Sequence, residues 1–401
     1  MAQRTYASFD VYEAAKRRIH WCYDNFDAVT VAWSGGKDST AMMGVALEVA
    51  RERGKLPLLV YWLDCEAEYQ AVADLAERLY HSPDIDFRWY QIPMTLFDAS
   101  AATEFKYLKA WDPDMKHVWM RPQVPYSIKE NVYGTTIFGE LPAKFLEMDL
   151  LPDPEKRAAN LVGLRANESA TRAQTMWGSH HNLHCNLTAF GMTLPPFGHA
   201  LDYYDLYGWP VFPIYDWNYS DVWKAIHANG WDYVDIYDKM YSLGISVDNM
   251  RVSSLIHENA FSSQSSRLLA EIEPETWERL IVRCESMNDV RHVERDQVYH
   301  IKDLPPAYRN WREYRDDLLE RLHGDKPEVR DKHMPRIFGH QDRLMDEFEM
   351  PRKERTKVYQ QQLGIIARTD FKYGGAQMNV AISSRRGKSR REKEKARDAG
   401  K

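Results

Sequence analysis

Ser34 to Thr40, SGGKDST, constrains this chain more than any other segment of similar length. It directly follows an apolar run, Val29 to Trp33, and opens a helical pattern from about Ser39 to Arg53. Paired glycines let a backbone approach an anion closely. Their amides and those of a helix N-terminus supply partial positive charge, and Lys37 adds a full one. Strand, glycine turn and helix start together describe an anion cradle. The plainer alternative is a glycine turn with a solvated lysine. The GxxxxGK[ST] spacing of the Walker loop is absent, so γ-phosphate chemistry of the ATPase type is not indicated.

The surrounding pattern is α/β. Val11, Ala15, Ile19, Cys22 and Phe26 recur at helical spacing behind Asp10, a good N-cap. After the glycine turn and its helix come an apolar run over Leu58 to Asp64, a helix from about Ala67 to Tyr80, and a strand from about Phe87 to Ile92. This alternation predicts a parallel, twisted sheet with helices on both faces. Thr95 to Ala159 is aromatic and Pro-containing and takes no assignment. Asn160–Ala166 and Val211–Trp217 are expected strands, the latter followed by a helix capped by Ser220 and stopped by Gly230. Beyond Asn249 the pattern is mainly helical. The expected organisation is a nucleotide-binding domain over 1–245, a helical region over 246–383 and a basic, disordered tail over 384–401.

Charge divides unevenly. The net charge is -6, but Ser384 to Lys401 carries nine Lys/Arg against three Asp/Glu. The body is therefore acidic and repels polyanions, whereas the tail attracts nucleic acid or docks a partner, unless it is simply a solvated terminus. No apolar run approaches the roughly 20 residues needed to cross a bilayer. The N-terminus becomes charged before any apolar core forms, which predicts cytoplasmic residence. Four widely spaced cysteines write neither a disulfide framework nor a cysteine-pair metal site. His180, His181, His184 and Cys185, with His199 beyond, are read as a polar loop rather than a zinc site, because adjacent and i+3 ligands make at most half of one.

SGGKDS after a hydrophobic strand resembles the PP-loop of the N-type ATP pyrophosphatases and of the phosphoadenosine phosphosulfate (PAPS) reductase superfamily. Three further segments follow in family order. Leu63-Asp64-Cys65-Glu66 stands where the reductases carry an aspartate after the second strand, and Gly163 to Arg172 (GLRANESATR) resembles their GLRxxxSxxR segment. Pro213 to Trp217, Asp221 to Trp223 and Tyr237 to Gly244 resemble their P-[IL]-x-D-W…DVW…YD run. The likeness covers about residues 10 to 260. It is strongest to a phage and prophage-associated group that includes the immunoglobulin-binding regulator A proteins, encoded beside a ParB-like partner.

The resemblance implies an adenine nucleotide alpha hydrolase-like fold that binds ATP or PAPS, with Mg²⁺. It places nucleotide contacts at Ser34, Gly35, Gly36, Lys37, Asp38, Ser39, Asp64 and Gly163. Catalytic charge falls to Lys37, Asp38, Arg165 and Arg172, and Arg165, Glu168 and Arg172 face the substrate. Asp38 is read either as a Mg²⁺ ligand or as a helix cap. Asp64 is read as an acceptor for ribose hydroxyls or the adenine amine, or as a turn residue. Arg165, Glu168 and Arg172 would share one face of a helix, offering two guanidinium forks to an anion. Asp216, Trp217, Asp221 and Trp223 are expected to brace the fold.

The chain departs from the reductases in one respect. They attack sulfur with a C-terminal ECGIH-like cysteine, and here no cysteine follows Cys284. An Fe–S cluster and a thiol-dependent reduction are not expected. The expected function is α-phosphate chemistry that releases pyrophosphate, or sulfonucleotide chemistry, on an acceptor the sequence does not name. The alternative is a nucleotide-sensing co-activator acting with a ParB-like partner.

Overall fold

The computed structural model describes residues 8–98, 106–153, 155–168, 208–256, 268–284, 287, 304–324, 338–347 and 349–367. The chain divides into two compact units, Met1–Ser100 with Tyr107–His292, and Ala101–Lys106 with Val293–Lys401. None of the helices among the described residues is long and apolar enough to cross a membrane.

The first unit opens with α1 (Val11–Asn25), whose N-cap Asp10 accepts from the Glu13 amide as its sequence position predicts. There follow β1 (Ala28–Ala32), α2 (Lys37–Glu52), β2 (Leu58–Leu63), α3 (Gln70–Tyr80) and β3 (Ile85–Tyr90). The unassigned stretch contains β4 (Met94–Asp98) and β5 (Lys106–Ala110), paired as a small sheet, and the short α4 (Leu141–Phe145). Then come β6 (Ala158–Val162), β7 (Gly208–Val211), α5 (Tyr219–Asn229), α6 (Ile236–Ser242), α7 (Leu269–Ile272) and α8 (Pro274–Arg283).

The main sheet has the order β3-β2-β1-β6-β7, and every pair is parallel. β1 and β2 are buried along nearly their whole length, as strands covered on both faces must be. The expected α/β sheet is therefore present. Its chain order reverses between β1 and β6. The strand C-termini splay apart at such a reversal, and ligands of open α/β sheets bind there. The glycine loop leaves β1 at this point, and Gly163 to Arg165 leave β6 beside it.

Several boundaries differ from the sequence reading. β7 stops at Val211, and Phe212–Trp217 turn back, with Tyr215 and Trp217 amides bonded to Phe212 and Ile214 carbonyls. α5 is capped by Asn218, not Ser220. Asn218 and Asp221 form a reciprocal capping box, which satisfies two orphan amides where a lone Ser220 would satisfy one. Gly230 does end α5, in the left-handed conformation at φ 61°.

The expected bracing role of Asp216 and Trp217 is visible. Arg18 of α1 is buried, and its Nη1 and Nη2 each donate to the Asp216 carboxylate at 2.8 Å. Nη1 also donates to the Pro213 carbonyl, and the guanidinium lies 4.5 Å from the Tyr215 ring centroid. Trp217 Nε1 donates to the Val11 carbonyl at 2.9 Å. These bonds lock the turn after β7 onto α1.

The second unit contains α9 (Trp311–His323), α10 (Gly339–Glu347) and α11 (Arg352–Ala367). They share a core that includes Leu318, Phe338, Met345, Leu363 and Ile366. Buried Arg315 crosses that core, donating to Asp342, Gln362 and Asp316.

Breaking a buried ion pair by removing one partner strands the other. Arg18→Met is expected to lower the free energy of unfolding by about 3 kcal/mol. Urea denaturation followed by circular dichroism measures this, and an unchanged midpoint would contradict the bracing role.

Candidate functional site

The glycine loop is set by two close approaches. Gly35 has φ +77°, and a Cβ there would collide with Val72 of α3. A Cβ on Gly163 would lie 2.7 Å from Ser39 Cα and 2.8 Å from its amide nitrogen, so the chain leaving β6 packs directly on the first turn of α2. Only glycine fits at either point. Ser39 Oγ donates to the Gly36 carbonyl at 3.0 Å and accepts from the Ser34 amide at 3.2 Å, which closes the loop on itself. The Ser34 hydroxyl lies 3.1 Å from the same oxygen.

Lys37, the first residue of α2, is buried. Its Nζ donates to Asp38 Oδ2 and to the Met250 carbonyl, both at 3.2 Å. Arg165, also buried, donates from Nε to Asp38 Oδ1 at 2.6 Å. Asp38 thus bridges two cations that leave different strands. The ammonium of Lys37 is held below the usual lysine range, chiefly by burial and further by the guanidinium groups of Arg165 and Arg251, against the opposing pull of Asp38. Three cations therefore converge on the loop. Such crowding is costly unless an anion offsets it.

Of the stretch expected to carry Arg165, Glu168 and Arg172 on one helical face, the described part, Arg165 to Glu168, is not α-helical. Arg165 sits in the connection after β6, the Ala166 amide bonds to the Tyr215 carbonyl, and a single 3₁₀ turn, Ala166–Glu168, follows. That bond ties the connection after β6 to the turn after β7. Arg165 consequently points to Asp38, while Glu168, whose side chain is 5% exposed, accepts from Arg251 Nη1 at 2.9 Å. Arg172, the histidine-rich HHNLHC segment, His199 and the basic tail lie outside the described residues.

Asp64 is placed differently from a ribose contact. It is wholly buried, and Oδ1 accepts from the Glu66 amide at 2.9 Å and from Arg121 Nη2 at 2.6 Å. Oδ2 accepts from Trp89 Nε1 at 2.9 Å and Gln91 Nε2 at 3.0 Å. Its carboxylate is committed to the protein. Glu66, at φ 63°, accepts from Arg283 Nε at 2.6 Å and from the Trp111 amide at 2.7 Å. Two buried ion pairs thus secure the chain after β2. Nearby Glu68 is buried and its carboxyl is pushed up to about 8, chiefly by burial and then by the Asp64 charge.

The sequence reading missed three contributors. The Tyr237 hydroxyl accepts from the Lys37 amide at 2.9 Å; the Tyr-Asp run flagged its position but not this bond. Met250 acts through a carbonyl, which no residue type announces. Arg251 lies in an otherwise uncharged stretch, Asn249 to Leu255, and nothing local connects it with the loop.

Both Asp38 oxygens already bond to cations, so Asp38 is not a prebuilt Mg²⁺ ligand, and no grouping of three or more His, Cys, Asp or Glu suited to a metal ion occurs among the described residues. Cys22, Cys65 and Cys284 are buried and unpaired as disulfides. Burial pushes the Cys65 thiol well up and the Cys284 thiol up to about 12. Neither is a thiolate near neutral pH. A cavity of about 630 Å³ opens elsewhere, beside α3 and α8, with Asp74, Arg121, Lys239 and Arg279 on its walls; no loop residue borders it.

A glycine loop at the reversal of a parallel sheet, carrying converging cations, defines a member of the PP-loop class of α/β proteins. The phosphoadenosine phosphosulfate reductase domain model matches residues 28–245, just over half of the chain, and the protein belongs to that family. It is 27% identical over 318 residues to the uncharacterized protein YbdN of Escherichia coli (strain K12), covering 76% of this chain and 73% of YbdN. Among solved structures it is similar to phosphoadenylyl-sulfate (PAPS) reductase from Candida auris in a phosphate complex. That match has 10% identity and a TM-score of 0.28, covering 61% of this chain and 96% of the other. The U34-tRNA thiolase NcsA from Methanococcus maripaludis with its [4Fe-4S] cluster matches at 13% identity and a TM-score of 0.32, covering 77% and 86%.

Glu68 gives a pH test. Its folded carboxyl holds a proton to about pH 8, whereas in the unfolded chain it loses it near pH 4.3. The folded state therefore binds more protons across that interval, and stability falls as pH rises through it. Glu68→Gln is expected to flatten this part of the profile. Thermal melts from pH 5 to 8 read the difference, and parallel profiles would show that Glu68 is already ionised.

Proposed function

We propose that this protein binds an adenine nucleotide, ATP or PAPS, with its phosphate chain in the glycine loop. It then carries out α-phosphate chemistry that releases pyrophosphate, or sulfonucleotide chemistry, on an acceptor. One observation carries the reading: Lys37, Asp38 and Arg165 meet over the loop at the reversal of the sheet. Family membership supports the same site, since residues 28–245 contain every one of these groups except Arg251 and Met250.

The chemistry asks for stabilisation of growing negative charge on the attacked phosphorus and on the departing group. Lys37 lies against the loop, and Arg165 reaches the same point from β6. A nucleotide would exchange its oxygens for Met250 and Asp38 as partners of these cations. Gly35, Gly36 and Gly163 keep the approach free of side chains, and Ser34 and Ser39 hold the loop shape. Asp64 serves here as a positioning residue, holding Arg121 and the chain after β2. Arg172 would add a second fork. Mg²⁺ fits as a companion of the phosphates rather than as a protein-held ion, and no step depends on it.

Cys65 and Cys284 are buried and held in the neutral form, which supports a route in which neither serves as the nucleophile. Replacing all four by Ser or Ala is expected to leave nucleotide-dependent turnover intact in protein that still folds. Loss of turnover with the Cys65 replacement alone would restore a thiol mechanism.

Lys37→Ala is expected to weaken nucleotide binding by about 1.5 to 3 kcal/mol, the range for a hydrogen bond to a charged group. Calorimetric titration measures it, and an unchanged affinity would remove the loop from the site. Steady pyrophosphate release from ATP supports turnover. Tight binding without release would instead support the nucleotide-sensing co-activator with its ParB-like partner.

A further inference from the structure

Gly35, Gly36 and Gly163 are not glycine for the same reason. At Gly35 and Gly163 a Cβ would collide with Val72 or with the first turn of α2, so the fold itself demands glycine. Gly36 is different. Its φ of -72° and ψ of 156° suit any residue, and a Cβ there would meet nothing closer than the Val252 carbonyl at 3.6 Å, the Ser34 hydroxyl at 3.7 Å and the Tyr237 hydroxyl at 3.8 Å. Packing alone leaves room for a methyl group. The space beside Gly36 is therefore bounded by three oxygens, two of them hydroxyls, at the start of α2.

Tyr237 reaches that space from α6. It is buried, and its ring packs edge-on against Trp223 with centroids 5.2 Å apart. The hydroxyl oxygen accepts from the Lys37 amide at 2.9 Å. A phenol oxygen that accepts still has its own proton to donate. Among the described residues no hydrogen bond from that proton is found, although the group is buried. Burial also holds the phenol above its ordinary range and outweighs the pull of the Lys37 and Val252 amides, so the group is a neutral donor. A buried donor without an acceptor is costly, and an oxygen arriving beside Gly36 would relieve it.

The charges around the space suit a neutral donor. Lys37 and Arg165 share a single carboxylate, Asp38, whereas Arg251 is paired with Glu168. The excess of positive charge thus lies on the buried Lys37 and Arg165. It draws in an anion, and a further cation beside them would add repulsion. A hydroxyl adds a hydrogen bond without a charge. We propose that Tyr237 is a phosphate-binding residue whose hydroxyl, held by the Lys37 amide, donates to a phosphate oxygen in the space beside Gly36. The inference rests on the reading that the glycine loop takes an adenine nucleotide. ATP and PAPS both carry such oxygens, so the contact is common to them.

The test is calorimetric titration of the full chain with ATP and with PAPS, for wild type, Tyr237→Phe and Gly36→Ala, beside thermal melts without nucleotide. Tyr237→Phe keeps the ring and removes the hydroxyl. It should weaken ATP or PAPS, whichever the wild type binds, about ten-fold or more, and leave the melting temperature near that of the wild type. Gly36→Ala should also keep the melting temperature, and its methyl should weaken or abolish binding by filling the space. Unchanged or tighter binding by Tyr237→Phe overturns the inference, because the freed Lys37 amide then serves the phosphate at least as well as the hydroxyl did. Wild-type affinity in Gly36→Ala overturns it too, since no phosphate then enters the space. If Tyr237→Phe melts lower, wild-type protein labelled with carbon-13 at Tyr237 Cζ replaces it. That resonance should move when ATP or PAPS saturates the protein, and an unmoved resonance overturns the inference. Wild-type protein that binds neither nucleotide overturns the nucleotide reading itself, an outcome distinct from failure of Tyr237 alone.

Discussion

The Asp38 carboxylate holds the site together. Lys37 and Arg165 leave β1 and β6, and each is buried where a second cation stands nearby. Without a shared counter-ion they would repel one another in a medium that screens poorly. Asp38 accepts one bond from each, at 3.2 and 2.6 Å, and so ties the loop leaving β1 to the chain leaving β6. Its position in the first turn of α2 also suits the helix dipole. The glycine at 163 follows from this pairing, because the β6 connection must lie flat on α2 for Arg165 to reach.

Polar burial after β2 serves a different purpose. Asp64 and Glu66 are saturated by Arg121, Arg283, indole, amide and backbone donors, so they act as a brace for the chain leaving β2. Among the described residues Glu68 forms no ion pair of its own, and burial with the Asp64 charge outweighs the pull of Arg121 and holds its proton. The two outcomes show the rule for buried carboxyl groups at close range: each is either paired or protonated. The same burial silences Cys65, which stands between the acids.

The family relationship and the departures from it are therefore separable. The reductase domain model ends at residue 245, and the loop, the sheet reversal and Arg165 lie inside it. Met250 and Arg251, which complete the mouth, come just after it.

The sequence by itself determined the alternation of strands and helices, the glycine loop and its position at a helix start, because periodicity and glycine spacing are local properties. It also marked Asp216 and Trp217 as braces and Gly230 as a helix stop. Expected ends slipped where a distant partner decided them. Residue 67 does not begin α3, which starts at Gln70, where the Glu273 carboxylate accepts from the Gln70 and Ala71 amides at 2.8 and 3.0 Å. Arg165 and Glu168, expected as neighbours on a helix face, bind different partners, Asp38 and Arg251. Only the tertiary structure could commit Asp64 to Arg121, 57 positions away, or bring Arg251 to Glu168 across 83. Such partners are chosen by where parallel strands end in space, and spacing along the chain carries no record of it.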